Sequence, residues 1–444
     1  MKGELHRLSA LAAAREIREG RLSCAEYVGG LLRRIDEREA EVQAWEHLDR
    51  AQALEAARAL DAAIARGDAS GPLLGVPVGI KDVIDVRGMP TGDGTVLHAG
   101  RTADDDAALV RALRRAGAWP IGKTVTTELA TYAPGKTRNP HEPSRTPGGS
   151  SSGSAAAVAC GMVPLAIGTQ TNGSVIRPAS FCGVVGYKPS FGRIARGGVL
   201  RQSPSLDQIG VFARDVDDAA ALAEVLFGFD PSDPSTAGAP VPALAAIAAA
   251  EPPVAPRLGW ARTPWWDRVE PDAQRAFARW VESMGDVVES IQLPDETREA
   301  IGWQRTIMEA DIAASYEREY ETGRTRLSES LQRQIERGRD VRAVDYRKAI
   351  ERRERVAAAL DDLFGRFDAI ACPATLGTAP RASEGTGDPL MCTLWTYLGV
   401  PAISVPLLTG DGGLPLGVQL VARHGDDARL LRTARWSMRA TMRA

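Results

Sequence analysis

The sequence predicts an α/β protein, and three observations carry that expectation. Segments with apolar residues at helical spacing alternate with short β-branched runs along most of the chain. Breaks containing Gly and Pro separate them, as Gly71-Pro72 does before Val76, Val78 and Ile80. Hydrophobic residues at 44% and charged residues at 25% supply a core and a solvated surface in ordinary globular proportion, so wholesale disorder is not expected. The length of 444 residues suits either several average domains or one large sheet and does not choose between them.

In chain order, the first 70 residues read as helix. Ser9 caps a segment ending at Gly20, Ser23 and Glu26 form a capping box for a second, and a third covers about 41–66. The alternation at 76–80 predicts a strand that delivers Lys81 and Asp82 at its end. A helix over 104–116 and a strand near Trp119 follow. Residues 145–154, RTPGGSSSGS, are too rich in Gly and Ser for a regular element, whereas 155–160 return to helix formers. A buried strand is expected at 163–168, and 169–174 turn from it into SVIRPASFCG, which sets Ser174 at a strand-to-helix turn. Pro and Ala accumulate over 231–256, the best linker or surface crossing in the chain. From 295 to 367 Arg and Glu recur four apart, the mark of a solvated helical face, with a cap over a substrate cleft as the alternative. Residues 370–374 and 400–408 read as strands, and a helix at 427–442 closes the chain. No internal repeat is visible.

Composition narrows the function. Lys plus Arg total 54 against 57 Asp plus Glu, a net charge of −3 with no long basic run, so nucleic acid is not an expected partner. The odd, widely spaced cysteines Cys24, Cys160, Cys182, Cys372 and Cys392 do not form a disulfide framework and fit a reducing cytoplasm. Neither a signal-peptide core nor an 18-residue apolar run occurs, so no membrane association is expected. None of the five histidines is paired at metal-ligand spacing. No metal or organic cofactor is implied.

The string GGSSSGS alone says little, because flexible linkers use the same letters. It occurs, however, between two others: Gly79-Ile80-Lys81-Asp82 before it and Gly168-Thr169-Gln170-Thr171-Asn172-Gly173-Ser174 after it, with Ser150 and Ser174 24 positions apart. Together with Phe181-Cys182-Gly183, Gly186-Tyr187-Lys188-Pro189 and Ser205-Leu206-Asp207, these strings resemble the amidase signature family of Ser-cisSer-Lys amidohydrolases. The likeness runs to Gly417-Val418-Gln419-Leu420 and thins between 231 and 367. It implies one domain over 1–444, with a central mixed sheet covered by helices on both faces. Within it fall N-terminal helices (1–70), a catalytic core (71–230), a helical excursion over the cleft (295–367) and a C-terminal part of the sheet with the last helix (368–444). It also implies Lys81 as base, Ser150 as relay after a cis peptide, and Ser174 as nucleophile.

The residue types suit that chemistry. A serine hydroxyl needs a base, and no histidine is placed to serve. Lysine can serve only when burial or a positive field keeps it neutral near pH 7, and a second serine between the two can pass the proton and return it to the leaving nitrogen. Consecutive N–H groups of Thr171, Asn172, Gly173 and Ser174 at a helix start suit an oxyanion hole. Many family members carry Gly at the position of Asn172 and Arg two residues after the nucleophile; here Ile176 stands there and Arg177 follows. The resemblance places Met391, Cys392 and Trp395 near the acyl pocket, where Met391 and Trp395 otherwise read as core.

Other readings compete. Residues 117–124 match the P-loop pattern but follow a helix and are bulky and strand-like in the middle, so the reading is a Gly turn and a strand. Trp265-Trp266, and Asp82 with Asp85, read as packing and local hydrogen bonding. The expected function is hydrolysis of an amide-type C–N bond, in an amide or a carbamate such as a urethane, with ester substrates included, by a monomer or homodimer. The alternative is the amidase subunit of a glutamine-dependent amidotransferase with a partner protein; the changes at Asn172 and Arg177, and the lack of a visible charged anchor for glutamine, weigh against it.

Overall fold

Ser9 Oγ accepts from the N–H of Ala12 to start the helix Ala10–Arg18, and Ser23 with Glu26 closes a full capping box on Cys24–Val42. The computed structural model describes residues 4–236, 238 and 240–442. The single helix expected over 41–66 is two pieces. Glu39 accepts from the N–H groups of Ala44 and Trp45, Gln43 turns left-handed at φ 54°, and a short strand precedes a new helix, Arg50–Ala65, capped by Asp49.

That strand is β1 (Trp45–His47), and ten more follow among the described residues: β2 (Pro77–Lys81), β3 (Trp119–Thr124), β4 (Leu165–Gln170), β5 (Val185–Lys188), β6 (Gln208–Ala213), β7 (Leu258–Ala261), β8 (Val288–Ile291), β9 (Ala369–Pro373), β10 (Ala402–Thr409) and β11 (Pro415–Val421). They form one mixed sheet in the order β1-β3-β2-β4-β6-β5-β10-β11-β9-β7-β8. β2 runs parallel to β3 and β4, so Lys81, Thr124 and Gln170 end neighbouring strands on one edge. Parallel strands characteristically present ligand sites at their carboxyl ends.

Side chains alternate across the sheet and define its two covered faces. Leu165 and Ile167 of β4, with Ile209 and Val211 of β6, meet the helices Ala108–Arg115, Val216–Leu226, Pro271–Met284 and Asp427–Thr441. Ala166 and Phe212 face the other way, onto Cys24–Val42, Ser152–Ala159 and Ile176–Cys182. On that second face Ile370 and Cys372 of β9 meet Ala300–Ser315, Ala343–Arg366 and Leu390–Leu398. The segment 231–256 is a surface crossing whose short helix Leu244–Ala249 buries Leu244 and Ala248 in the first layer. The excursion over 295–367 is four helices after a 3₁₀ turn.

The P-loop reading is set aside by the structure. Residues 119–124 are the fully buried β3, and Lys123 Nζ lies 2.9 Å from Asp82 Oδ1 and 2.7 Å from Thr91 Oγ1, with no exposure to solvent. Asp85 instead pairs with Arg101. Removing one partner of a buried pair leaves an uncompensated charge, so Asp82→Ala is expected to lower unfolding stability by about 3–5 kcal/mol. Denaturant titration checks this; a loss below about 1 kcal/mol would show that the pair is not needed to hold Lys123.

Candidate active site

Lys81 is the last residue of β2, and its ammonium end is fully buried. Its Nζ is 2.6 Å from Ser150 Oγ and 2.7 Å from Thr169 Oγ1 of β4. Ser150 follows a cis peptide bond from Gly149, as the family resemblance implies, and lies just before the helix Ser152–Ala159.

Ser174 is brought beside this pair by the loop after β4. The Gly149 carbonyl accepts from Arg177 Nη2 at 2.6 Å, and Gly148, at φ 85°, sits so close to Pro178 that an added Cβ would come within 2.7 Å of its Cα. The Ser150 loop thus lies against the first turn of Ile176–Cys182, two residues beyond Ser174. No hydrogen bond joins Ser150 and Ser174 directly; the contact made is that of Lys81 with Ser150. Arg177 is fully buried, with its guanidinium also on the Gly387 carbonyl. Its place one residue later than usual makes it a brace between two loops.

The turn 171–174 is held from outside. The Thr171 carbonyl accepts from Gln304 Nε2 at 3.2 Å, and the Asn172 carbonyl accepts from Thr396 Oγ1. No group among the described residues accepts from the N–H of Asn172, Gly173 or Ser174. Gly173 packs against Pro389 and Cys392, where a Cβ would come within 2.9 Å and 3.3 Å of their Cβ atoms. The Asn172 side chain donates to Tyr132 Oη at 3.2 Å and accepts from Thr393 Oγ1 at 2.7 Å, so it is a fixed part of the wall.

Burial pushes the Lys81 ammonium well below the ordinary lysine range, partly opposed by the negative charge of Asp207. Asp207 is itself pushed up to about 6 by burial, against the pull of the Thr171 hydroxyl and the N–H groups of Ser203 and Gln202 that donate to it. A chamber of about 400 Å³ is lined by Thr169, Thr171 and Asp207. A separate cleft of about 430 Å³ lies beside Asn172, walled by Tyr132, Gln304, Met308, Gln334 and Thr393. It is charged at its edges: Arg268 pairs with Asp388 at 2.8 Å, Arg337 with Glu309 at 3.0 Å, and Arg305 and Arg333 add cations. The excursion therefore supplies one wall of this cleft.

The apolar hint drawn from 391–397 does not describe that cleft. Pro389, Leu390 and Thr393 line it from Leu390–Leu398, while Met391 and Trp395 turn into the core and Cys392 backs Gly173. All five cysteines are free and buried. Among the described residues no cluster suited to a metal occurs, and no helix is long and apolar enough to cross a membrane. Thr169 lies inside a motif string that gave it no role, and nothing in the sequence marks Gln304 or Thr396.

A buried lysine at one strand end, hydrogen-bonded to a serine in a glycine-rich loop and set beside a second serine on a donor-rich turn, is the frame of a hydrolytic enzyme. A family model described as Amidase matches residues 26–431, and the chain belongs to that family, whose enzymes act on carbon–nitrogen bonds. It is 35% identical to the amidase-type component of glutamyl-tRNA(Gln) amidotransferase from Chloroflexus aggregans, across 99% of this chain and 97% of that protein. Its fold matches a chain of a vestigial protein complex bearing on the origins of an s-triazine catabolic enzyme, with a TM-score of 0.90, 27% identity and 98% of each chain covered. It also matches the peptide amidase of Stenotrophomonas maltophilia, with a TM-score of 0.86, 28% identity, and 98% of this chain and 97% of that one covered.

Proposed function

We propose that this chain hydrolyses the side-chain amide of a small amino acid such as glutamine, as the amide-cleaving component of an amidotransferase. The observation that carries this reading is the cleft beside Asn172, whose edges hold both signs of charge within one excursion-walled space. A zwitterionic substrate needs both, and the sequence alone offered no such anchor. The relationship to a glutamyl-tRNA(Gln) amidotransferase component favours the same reading over that of a free-standing amidase. In that setting a partner protein and an RNA-borne acceptor belong to the complex, so the expectation of no nucleic acid holds at most for this chain alone. Five reduced, buried cysteines fit a cytoplasmic setting.

In the proposed reaction, neutral Lys81 donates an N–H to Thr169 and accepts the Ser150 proton, while Ser150 takes the proton of Ser174 as Ser174 Oγ attacks the amide carbon. The N–H groups of Asn172, Gly173 and Ser174 receive the oxyanion. The proton returns through Ser150 to the leaving nitrogen, and the same route activates water to release the acid. A second reading, a free-standing hydrolase of amides, carbamates including urethanes, or esters, is favoured by the likeness to the peptide amidase and by Asn172 in place of glycine.

A hydrolysis panel of glutamine, primary amides, anilides and carbamates separates the two, run on the chain alone and with any co-purifying protein. Glutamine turnover, raised by the partner and absent in Ser174→Ala, is expected. Turnover of anilides or carbamates by the chain alone, with none of glutamine in either preparation, would establish the second reading instead.

A further inference from the structure

We propose that Gln304 and Thr396 are positioning residues that lock the donor turn 171–174 in its working orientation; this rests on the acyl-enzyme reading above. Across a trans peptide the carbonyl and the N–H point to opposite edges. Tying the Thr171 carbonyl to Gln304 therefore fixes the N–H of Asn172 away from the helix Ala300–Ser315. Tying the Asn172 carbonyl to Thr396 likewise turns the N–H of Gly173 away from Leu390–Leu398. A peptide flip at either place would swing a carbonyl to the donor side and set a partial negative charge where the oxyanion forms.

The lock extends past Ser174 on both sides. Thr396 Oγ1 also accepts from Gln170 Nε2 at 2.9 Å, and Gln170 Oε1 accepts from the N–H groups of Val175 at 2.7 Å and Ile176 at 3.0 Å. One chain of hydrogen bonds thus joins residue 170, residue 172 and residues 175 and 176 around the serine. Gln304 and Thr396 are 1% exposed, so water does not compete for these bonds. Gln304 also lines the charged cleft, which makes the excursion helix both a substrate wall and a support for the donor turn.

The experiment is the rate of Ser174 modification by a fluorophosphonate, with the modified residue located by peptide mass, in wild type, Thr396→Val, Thr396→Ser and Gln304→Leu. Thermal unfolding is measured in parallel. Thr396→Val, which keeps volume and removes the hydroxyl, is expected to slow labelling about 10- to 100-fold, Gln304→Leu by a similar factor, and Thr396→Ser to stay within about threefold of wild type. Labelling of a folded Thr396→Val protein at the wild-type rate overturns the inference, as does a Thr396→Ser protein as slow as Thr396→Val. If Gln304→Leu does not fold, the two Thr396 variants decide alone. Failure of wild type to be labelled at Ser174 would instead strike the acyl-enzyme reading itself.

Discussion

Ser174→Ala is expected to lose amide hydrolysis by on the order of 10⁴-fold or more, with a melting midpoint within about 3 °C of wild type. The size of the loss follows from the proposed role. Without Oγ no acyl-enzyme forms, and the donor turn can only polarise a carbonyl for direct attack by water, which leaves a small residual rate. The mildness of the stability change follows from the fold. The turn around Ser174 is held by hydrogen bonds to Gln170, Thr171 and Asn172, none of which involves the Ser174 hydroxyl. Steady-state hydrolysis and thermal melting check both halves, and a variant retaining more than about a tenth of wild-type turnover would remove Ser174 from the reaction.

Lys81→Met is expected to be nearly as damaging, by about 10³- to 10⁴-fold, yet to stabilise the protein near neutral pH. The two effects have one origin. Burial depresses the native Lys81 ammonium, whereas the unfolded chain carries an ordinary lysine. Between the depressed native range and the ordinary one near 10.5, the unfolded state binds the extra proton. The lysine's contribution to unfolding stability therefore rises with pH across that window and is least favourable below it. The gain of the Met variant over wild type should accordingly be largest at low pH and shrink as pH approaches the ordinary lysine range. Activity follows the same titration in the opposite sense, since only the neutral amine takes a proton and kcat/KM should climb with pH through the depressed range. Denaturant melts of both proteins across pH test the stability half; a Met variant less stable than wild type at every pH would mean that Lys81 is held as an ammonium.

The sequence made much of this site legible because its chemistry is written in contiguous strings. Lys81 ends an alternating run, Ser150 sits in a loop too rich in Gly and Ser to be regular, and Ser174 follows a buried strand; each string marks one strand end or the loop beside it. β1, β5, β7 and β8 stayed hidden because they are three or four residues long and contain Gly, Lys or Glu where a longer strand would alternate. Gln304 and Thr396 were invisible for a different reason. They come from helices more than a hundred residues away in sequence, and only the pairing of β10 and β11 with the rest of the sheet brings Leu390–Leu398 against the serine turn. The helix face that turned Met391 and Trp395 inward, and Thr393 outward to the cleft, is likewise a product of packing. Composition could say that residues 390–398 are apolar, but not which of them meet a substrate.

The most direct test of a buried neutral lysine activating Ser174 through Ser150 is the pH dependence of fluorophosphonate labelling, with the modified residue identified. The label should reside on Ser174, and its rate should rise to a plateau through one titration well below the ordinary lysine range and collapse in Lys81→Met. Modification of another residue such as Cys392, or a Ser174 rate and pH profile unchanged by Lys81→Met, would contradict it.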